Sequence, residues 1–449
     1  MVSTRERLER EVIGAGICTG CGACAALDPT RAACMIDTPL GPRPSFERGA
    51  ADLPELAWQA CPGKGVDHPT LYRGHYGRLP DNWLLGFAID VRTGHSADPE
   101  IRRRGASGGV LSHVLIHLLE TGAIDGAIVV RQGIPEPDKA RVVVARSRAE
   151  ILSAAQSVYV PVSVLDILPH LNQGEVYAMT CLPDQAQSLR ALQLAGHAAA
   201  KQVRHVLGPY TGTALVPAAL RCYLRAKGVR DDEPITSLEW RAGEWPGYLE
   251  IRTASGKVVR SKKVYYNFLI PFFITQQSLQ DVDFTNEFCD LSVGDAWSPK
   301  FESQGGGHSV IVTRSEAMER IVREMTHAGL LATEAVDPLE ALEMHGHMLD
   351  FKKRGGFIRN RMRTLVGKRA PSFGVRPEKI PLSRIAVELV VSGLFLAART
   401  RLARKLVEYV PEELIGPLFD RLRLAWKSAS KPTKRRGLAD FRMVADSGR

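Results

Sequence analysis

The sequence predicts an α/β protein with a small cysteine-rich domain at its N-terminus and a basic helical extension at its C-terminus. Three observations lead to this prediction: closely spaced early cysteines, alternating strand and helix patterns through the middle, and an excess of Lys and Arg at the end. Strand, loop and helix units in series favour a sheet with helices on its faces. We expect a cysteine-rich domain at 1–80, an α/β body with a mixed sheet at 81–350, and the tail at 351–449.

The N-terminal cysteines are spaced as ligands of one metal centre. Cys18, Cys21 and Cys24 recur every three residues, and Cys61 is followed by a proline. This pattern is typical of bacterial ferredoxin-type sites, in which four thiolates hold an iron–sulfur cluster. Zinc is the rival interpretation, although zinc sites usually show two separated C-x-x-C pairs. We therefore predict a ferredoxin-like domain with one 4Fe–4S cluster on these four cysteines, Cys34 being the alternative fourth ligand.

The elements of the body are predicted from hydrophobic periodicity. Apolar residues from Val110 to Leu119 fall on one helical face, with Ser107 as the expected N-cap and Gly122 as the end of the helix. The same reasoning predicts strands at 127–130, 176–180, 203–207, 249–253, 292–295 and 310–313, and helices at 185–194 and 216–227. The later strands are candidates for antiparallel pairing.

The positive charge of the chain is concentrated in the tail. The 449 residues carry a net charge of +10, whereas residues 351–449 alone carry 24 Lys and Arg against 8 Asp and Glu. Basic tails suit nucleic acid, anionic lipid or an acidic protein, and they also keep a protein in solution. We expect this tail to act in docking rather than in chemistry. No nucleic acid is expected, because no zinc-finger, helix-turn-helix or aromatic-rich RNA motif accompanies it.

The tail also contains a mostly apolar run at 385–398. A helix needs about 20 residues to span a bilayer, so this run is too short. A helix packed on the body is favoured, and peripheral contact with a membrane surface is the alternative. The composition of residues 427–436 predicts disorder. The first residues are charged and precede no apolar run, so we expect a cytoplasmic protein without a secretory signal.

Five separated motifs carry a family resemblance. They are Cys18–Cys24, Gly-Ala-Ser-Gly-Gly-Val at 105–110, Gly-Ala-Ile-Asp-Gly at 122–126, Leu-Pro-Asp-Gln-Ala at 182–186 and Leu-Ser-Val-Gly-Asp-Ala-Trp at 291–297. In this order they resemble the coenzyme F-420 hydrogenase/dehydrogenase β-subunit family, which also contains chlorophyll-pathway reductases with ferredoxin as donor. The resemblance implies FAD in the α/β body, iron–sulfur clusters that exchange electrons with it, and a reducible small molecule near the flavin ring. It does not cover the tail.

The flavin is expected at the carboxyl edge of the sheet, outside which open α/β sheets bind their ligands. A Ser-Gly-Gly turn that opens a helix presents free N–H groups and the positive end of the helix dipole to a phosphate. The cofactor-binding candidates are Ser107, Gly108 and Gly109 for the phosphates, Thr180, Asp184, Gln185, Thr211 and Gly212 near the ring, and Gly294 and Asp295 on the resemblance alone.

The departures from the family pattern concern a second cluster. Many members carry cysteines for it at positions that correspond here to Asp184, Thr211, Ser278 and Asp281, so the resemblance implies a variant with one cluster. The two aspartates are expected to face the space of the lost cluster, where they bind another ligand, transfer protons or contact water. The remaining cysteines of the body are expected to be buried structural thiols: Cys181, Cys222 and Cys289.

Two functions follow from these observations. The first is a flavin-dependent iron–sulfur oxidoreductase that passes electrons between a ferredoxin-type cluster and a hydride-accepting substrate such as coenzyme F-420. Its partner would be a ferredoxin-like protein or another subunit of a redox complex. A flavin is needed because clusters carry single electrons, whereas a hydride carries two. The alternative is a non-catalytic electron-relay or assembly subunit of a larger redox complex.

Overall fold

A computed structural model describes residues 2–47, 51–245, 247–262, 265–437 and 441–446. The strands are, in chain order, β1 (Ala33–Ile36), β2 (Arg43–Phe46), β3 (Asp90–Ser96), β4 (Gly126–Gln132), β5 (Ala140–Ala145), β6 (Tyr177–Thr180), β7 (Val203–Pro209), β8 (Ile235–Ala242), β9 (Tyr248–Thr253), β10 (Val258–Lys262), β11 (Leu291–Asp295), β12 (Ser309–Thr313), β13 (Leu331–Ala335), β14 (Val375–Pro377) and β15 (Met443–Ala445).

The α-helices are α1 (Thr4–Leu8), α2 (Ala23–Ala26), α3 (Glu55–Gln59), α4 (His68–Tyr76), α5 (Pro99–Arg104), α6 (Val110–Glu120), α7 (Arg148–Ser153), α8 (Pro183–Leu194), α9 (Ala198–Gln202), α10 (Ala218–Ala226), α11 (Ile270–Phe273), α12 (Gln276–Gln280), α13 (Pro299–Glu302), α14 (Glu316–His327), α15 (Pro338–Glu343), α16 (Gly346–Asp350), α17 (Phe357–Leu365), α18 (Leu382–Ala398), α19 (Arg401–Val407) and α20 (Glu412–Gly437). Shorter helical turns are π-helical at Glu9–Ile13 and Phe351–Gly356 and 3₁₀ at Leu165–His170 and Tyr265–Leu269.

The central sheet has eight strands in the order β13-β3-β12-β11-β7-β6-β4-β5. The neighbours β11, β7, β6 and β4 run parallel, whereas β5, β12 and β13 pair antiparallel. This is the mixed sheet that the sequence predicts, and the expected strands and helices of the body are present. The strand expected at 292–295 is β11, which lies parallel to β7 on one side and antiparallel to β12 on the other.

Side chains alternate between the two faces of this sheet, as the period of a strand requires. Ile128 and Met179 enter a core that they share with α8 and the N-terminal region, whereas Val129 and Ala178 enter a core shared with α6 and α14. The cysteine-rich region therefore packs directly on one face of the sheet. A separate antiparallel sheet, β10-β9-β8, packs with α10 and α11 around a third core.

The start of α6 differs from the prediction at one residue. Gly109, not Ser107, occupies the N-cap position, with a left-handed φ of 74°. The hydroxyl of Ser107 instead lies 2.7 Å from the hydroxyl of Ser309 at the start of β12. The left-handed glycine turns the chain into the helix two residues later than expected, which frees Ser107 to join the loop to the sheet.

The first part of the tail belongs to the body. The helical stretch that begins at α16 continues through the boundary expected at residue 350, and residues 351–356 are all buried. Lys352, Lys353 and Arg354 are 2 % exposed or less. The expectation that the whole tail from about residue 351 acts in docking is therefore wrong for this segment. Further along, β14 pairs with β15, and α20 extends over the residues for which the composition predicts disorder.

A buried charge network joins α18 to this stretch. Asp350 accepts hydrogen bonds from Arg354 at 2.6 Å and from Arg384 at 2.7 Å. Glu388 accepts from Arg384 at 2.8 Å and from Arg359 at 2.7 Å. Arg384 and Glu388 are 0 % exposed. Because buried charges are stable only when paired, these bonds determine which face of α18 turns inward.

We expect Glu388→Gln to destabilise the protein by about 3–5 kcal/mol at pH 7, because two buried guanidinium groups lose their counter-charge. Burial alone would raise the pKa of Glu388, but Arg359 and Arg384 lower it further, so the net shift is downward. The stability that Glu388 contributes is therefore complete above its unfolded pKa of about 4.3 and is lost as the pH falls through the folded pKa.

Chemical denaturation of both proteins between pH 7 and pH 3 measures this difference, which should shrink toward the acid end. Ser383→Ala, at an exposed neighbouring position on α18, is the control and should change stability by less than about 0.5 kcal/mol. Equal unfolding midpoints for E388Q and S383A would mean that the network does not stabilise the fold.

Candidate functional site

The four cysteines expected to bind a cluster line one pocket. Cys18, Cys21, Cys24 and Cys61 surround about 390 Å³ of empty space between the turn before α2 and the turn after α3. Gly20 and Gly22 lie between them with left-handed φ values of 77° and 94°. A Cβ atom on Gly20 would lie 2.6 Å from the carbonyl oxygen of Pro42, and one on Gly22 would lie 2.7 Å from the amide of Asp166. Only glycine fits this turn.

The alternative fourth ligand, Cys34, lies elsewhere. It is an exposed residue of β1, opposite Ser45 of β2, and it is absent from the lining of the pocket. The fold thus groups Cys61 with the three early cysteines, although 37 residues separate it from Cys24. The observed grouping is the one that the proline after Cys61 favours.

The electrostatics of this cysteine pocket fit a cationic centre. Burial raises the pKa of all four thiols, that of Cys61 to about 11, and neighbouring cysteines further raise the pKa of Cys21, Cys24 and Cys61. Four thiolates here would need a positively charged metal centre among them. Within the described ranges, no three or more His, Cys, Asp or Glu side chains are arranged to hold a single metal ion.

A second pocket adjoins the first. It contains about 260 Å³ of empty space, and Thr19 and Pro62 line both pockets. Its polar lining consists of Asp184, Asp281 and three amides, Gln187, Gln277 and Gln280. The structure therefore brings together Asp184 and Asp281, two of the four residues for which the resemblance implies lost cysteines. We call this space the carboxylate pocket.

Asp184 is one of three residues of the carboxylate pocket, with Thr19 and Gln280, that have a buried polar atom without a hydrogen-bond partner among the described residues. It is 3 % exposed, and its Oδ1 has no hydrogen-bond partner among the residues that the structure describes. The hydroxyl of Thr19 faces this carboxyl and opposes the rise of its pKa, but the two groups do not meet the geometry of a hydrogen bond. Burial, followed by the charge of Asp281, raises the pKa of Asp184 to about 7.

Asp281 has more contacts than Asp184. Its Oδ1 accepts hydrogen bonds from the amide of Asp283 at 3.1 Å and from Gln187 at 3.4 Å. Burial raises the pKa of Asp281, and the buried Lys352 opposes this rise. The pKa of Lys352 is itself lowered by burial, against the attraction of Asp281, Asp283 and Asp184. The pocket is thus a buried, mixed-charge space next to the cysteines.

Most of the expected flavin residues lie along one edge of the central sheet. Since β3 and β11 both run antiparallel to β12, they point the same way as β7 and β6. The carboxyl ends of these strands lead to the Ser107 loop, Asp295, Thr211 and Thr180. The strand directions agree with the position at the carboxyl edge that the sequence predicts for Thr180 and Thr211, whereas the binding of flavin there stays a prediction.

Arg241 connects two of these residues. This side chain of β8 donates to the carbonyl of Ala106 at 2.7 Å, to the hydroxyl of Tyr159 at 3.1 Å and to Asp295 at 3.4 Å. Its side chain is only 14 % exposed. Arg241 thereby holds the Ser107 loop and the end of β11 together and brings a positive charge to the edge of the sheet.

The glycines of the Ser107 loop have packing roles of their own. A Cβ atom on Gly108 would lie 2.7 Å from the carbonyl oxygen of Gly94 in β3, and one on Gly109 would lie 2.7 Å from that of Ile101. The carbonyl of Gly108 also accepts from the amide of Ser96 at 2.7 Å. These contacts require glycine whether or not a phosphate binds, so replacing Gly108 is a poor test of flavin binding.

The other candidates also have local roles. Gln185 accepts from the amide of Leu182 and donates to the carbonyl of Val162, which makes it a capping residue of α8. The hydroxyls of Thr180 and Thr211 donate to backbone carbonyls. Gly212 faces Met348, and Gly294 lies under the ring of Tyr210. Asp184 points into the carboxylate pocket rather than along the edge of the sheet.

Sequence reasoning missed several residues that lie close to the Ser107 loop. Arg241 and Tyr159 belong to no motif, and the rings of Trp245 and Trp297 lie 5.4 Å apart beside the same loop. Gly307 approaches both Ser107 and Trp245, because a Cβ atom there would touch each of them. One signal was available in the sequence, the local concentration of tryptophan. Of the six tryptophans in the chain, three lie between residues 240 and 297: Trp240, Trp245 and Trp297.

The cysteines of the body behave as predicted. Cys181, Cys222 and Cys289 are 2 % exposed or less and belong to hydrophobic cores. In the part of the chain that the structure describes, no helix has the length and hydropathy needed to cross a bilayer.

We expect the ionisation of Asp184 to change the free energy of unfolding measurably. The unfolded chain releases the proton of an aspartate near pH 4, whereas folded Asp184 keeps it up to about pH 7. The stability of the protein should therefore fall across this window, by at most about 4 kcal/mol at 1.36 kcal/mol per pKa unit. Asp184→Asn removes this loss, so the variant should gain stability over the native protein as the pH rises from 5 to 8.

Denaturant titrations at these pH values measure the effect, with Asp81→Asn as the control because Asp81 is 84 % exposed. If the D184N and D81N proteins showed the same pH dependence, Asp184 would not be protonated in the folded state at neutral pH.

Two family models match this chain next to each other. The N-terminal part of the coenzyme F420 hydrogenase/dehydrogenase β subunit matches residues 91–169, and its C-terminal part matches residues 174–339. Together they cover more than half of the chain and nearly all of the body. The cysteine pocket before residue 91 and the tail after residue 339 lie outside both matches.

Curated relatives and a solved structure agree with these matches. A coenzyme F420-dependent sulfite reductase of Methanocaldococcus jannaschii is 23 % identical over 77 % of this chain, which spans only 52 % of that relative's length. A coenzyme F420 hydrogenase β subunit of Methanothermobacter thermautotrophicus is 22 % identical over 57 % of this chain and 88 % of its own.

A chain of the F420-reducing [NiFe] hydrogenase complex from Methanosarcina barkeri has a similar fold. The TM-score is 0.52 at 19 % identity, with 65 % of this chain and 98 % of the other covered. At this identity the likeness concerns the fold alone.

Proposed function

The chain belongs to the coenzyme F420 hydrogenase/dehydrogenase β-subunit family, and from this premise we propose a flavin-dependent iron–sulfur oxidoreductase. Its proposed cofactors are one 4Fe–4S cluster and FAD. The proposed reaction passes electrons between a redox protein partner and a hydride-accepting substrate such as coenzyme F420, which the names of both curated relatives contain. The partner is a ferredoxin-like protein or another subunit of a complex.

The cysteine pocket is the observation that carries this proposal. In it, Cys18, Cys21, Cys24 and Cys61 are the proposed ligands, and Leu8, Val12 and Ala57 complete an apolar wall. A bound 4Fe–4S cluster supplies transfer of single electrons. The glycine-constrained turn holds three thiols in fixed positions before the cluster arrives, and the apolar wall limits the access of water.

The carboxyl edge of the sheet is the proposed flavin site. A bound flavin supplies the exchange between single electrons and the electron pair of a hydride. The Ser107 loop and the first turn of α6, which has no side-chain cap, offer backbone N–H groups to its phosphates. Arg241 is the proposed positioning residue, since it holds this loop against Asp295 and adds positive charge.

The proximity of the two proposed sites supports electron transfer between them. Helix α8 begins directly after β6, whose last residue is Thr180, and Asp184 in its first turn lines the carboxylate pocket beside the cysteines. The proposed cluster site thus adjoins the same strand end at which the flavin ring is expected. Thr19 belongs to both pockets and lies between them.

One observation favours the alternative, a non-catalytic electron-relay or assembly subunit. Asp184, Ser278 and Asp281 are all buried polar residues at positions where family members carry cysteines. A chain with one cluster lacks the second relay point of such members. Flavin content distinguishes the two functions, because the enzyme needs flavin that an added acceptor reoxidises, and a relay subunit does not.

The proposed cluster can be tested by anaerobic purification with analysis of iron, sulfide and flavin in one sample. We expect about four iron and four sulfide per chain for one 4Fe–4S centre. Cys24→Ser should lower both well below this value, because it removes a ligand from the pocket. Cys34→Ser is the matched control and should leave them unchanged, since Cys34 is exposed on β1.

About eight iron per chain would contradict the loss of the second cluster, and loss of iron in C34S rather than C24S would move the site. Stoichiometric zinc without sulfide would overturn the iron–sulfur proposal. A full cluster without flavin would leave the relay subunit as the function.

The proposed flavin site can be tested through Arg241. Arg241→Met should lower the flavin retained per chain by about tenfold, because the Ser107 loop loses its tie to Asp295 and one positive charge. Fluorescence of flavin released from the purified protein measures the retained amount. Arg230→Met, at an arginine whose side chain is 79 % exposed, is the control. Unchanged flavin in a folded R241M protein would place the cofactor away from this loop.

A further inference from the structure

Helix α18 has its charged and apolar faces reversed. Its two charged residues, Arg384 and Glu388, are 0 % exposed and belong to the buried charge network. Its exposed residues are uncharged throughout and mostly apolar: Leu382, Ser383, Ala386, Leu389, Val390, Gly393, Leu394, Leu396 and Ala397. Leu382 is 83 % exposed and Leu396 76 %. In a water-soluble protein, a helix normally turns these faces the other way.

The next two helices continue this surface. Thirteen of the 22 large apolar side chains that are exposed in the described residues lie between 382 and 424. Besides those of α18, they are Leu402, Leu406, Tyr409, Val410, Leu414, Leu418, Leu422 and Leu424. The spacing of three to four residues places them along one side of each helix. We call these exposed residues of α18, α19 and α20 the apolar face.

The helices that carry the apolar face are already packed on the protein core through their other sides. The opposite sides of the same helices already contact the protein core: Phe395 of α18, Val407 of α19, and Ile415 and Phe419 of α20. Arg404 donates to the carbonyl of Phe272 at 2.8 Å, and Arg225 pairs with Glu408 at 2.5 Å. The three helices are therefore anchored with the leucines outward, and an exposed patch of this kind marks an interaction site.

Positive charge accompanies the apolar face. Arg401, Lys405 and Arg421 are exposed beside the leucines. From residue 421 to the end of α20, the sequence contains seven Lys and Arg and no Asp or Glu. A second copy of this chain would bring like charges together across a two-fold interface. Leucines in a row next to clustered cations match the interior and the headgroups of an anionic bilayer.

We propose that α18, α19 and α20 form a docking surface for an anionic lipid bilayer. The helices lie along the membrane surface, with the leucines of the apolar face among the acyl chains and the exposed cations Arg401, Lys405 and Arg421 among the headgroups. The buried charge network and the third core fix these helices to the rest of the protein. The inference does not depend on the proposed flavin or cluster, because lipid contact requires neither.

Flotation of the full-length protein with lipid vesicles tests this inference. We expect the native protein to float with vesicles of phosphatidylcholine mixed with phosphatidylglycerol, and much less with phosphatidylcholine alone. Binding should weaken between about 0.1 M and about 1 M salt, because the Debye length falls from about 10 Å to about 3 Å. Replacing Arg401, Lys405 and Arg421 together by Gln should remove most of the preference for anionic lipid.

A matched pair of triple variants separates the apolar face from general hydrophobicity. Leu389→Gln, Leu394→Gln and Leu396→Gln together should lower vesicle binding by about tenfold or more. The control combines Leu40→Gln, Leu194→Gln and Leu339→Gln, three leucines that are exposed elsewhere, and should bind as the native protein does. Thermal unfolding of both triples verifies that they are folded.

Two results would overturn the proposal. One is equal flotation of the apolar-face triple and the control triple. The other is a native protein that does not float and that light scattering shows to be a dimer, with the apolar-face triple monomeric. The second result would mean that another copy of the chain covers the leucines.

Discussion

The buried charges between residues 350 and 388 are the constraint on which much of the structure depends. Asp350, Arg354, Arg359, Arg384 and Glu388 neutralise one another out of contact with solvent. Because each of them needs its partners, α16, α17 and α18 have one possible arrangement around them. The first part of the basic tail is thereby a core element, and only the outer side of the later helices is free to meet a partner.

The same helical stretch is linked to the cysteine-rich region. Lys353 pairs with Glu287, which also accepts a hydrogen bond from Tyr72 of α4. Lys352 lies near Asp281 in the carboxylate pocket. Buried charge therefore connects the cysteine-rich region, the space beside it and the C-terminal helices. We expect a substitution that removes a charge in one of these parts to destabilise the others, since an unpaired buried charge is unfavourable.

The arrangement of the two candidate sites follows from the central sheet. Its parallel strands send their following loops to one edge, and the cysteine-rich region packs on one face through α8. The family matches cover this sheet but neither the cysteine pocket nor the tail. The chemistry proposed for the pocket thus rests on the thiols themselves, and the proposed docking surface rests on helices that lie outside these matches.

Local sequence patterns determined the secondary structure and the cysteine set. The segments 127–130 and 203–207 are predicted correctly as strands because their composition and their flanking turns are local properties. The spacing of Cys18, Cys21 and Cys24, with the proline after Cys61, sufficed to identify the four thiols of one pocket. Positions at the carboxyl edge followed from the order of strands and loops.

Tertiary structure alone decided how distant polar groups are used. No local pattern shows that Arg241 reaches the Ser107 loop, or that Ser107 meets Ser309 instead of capping α6. The side of α18 that faces the core is the clearest example. Its periodicity predicts a helix, but the side that faces the core depends on where Asp350 and Arg359 lie. Periodicity records the spacing of side chains along one helix, whereas burial depends on which charges the neighbouring helices bring to meet them.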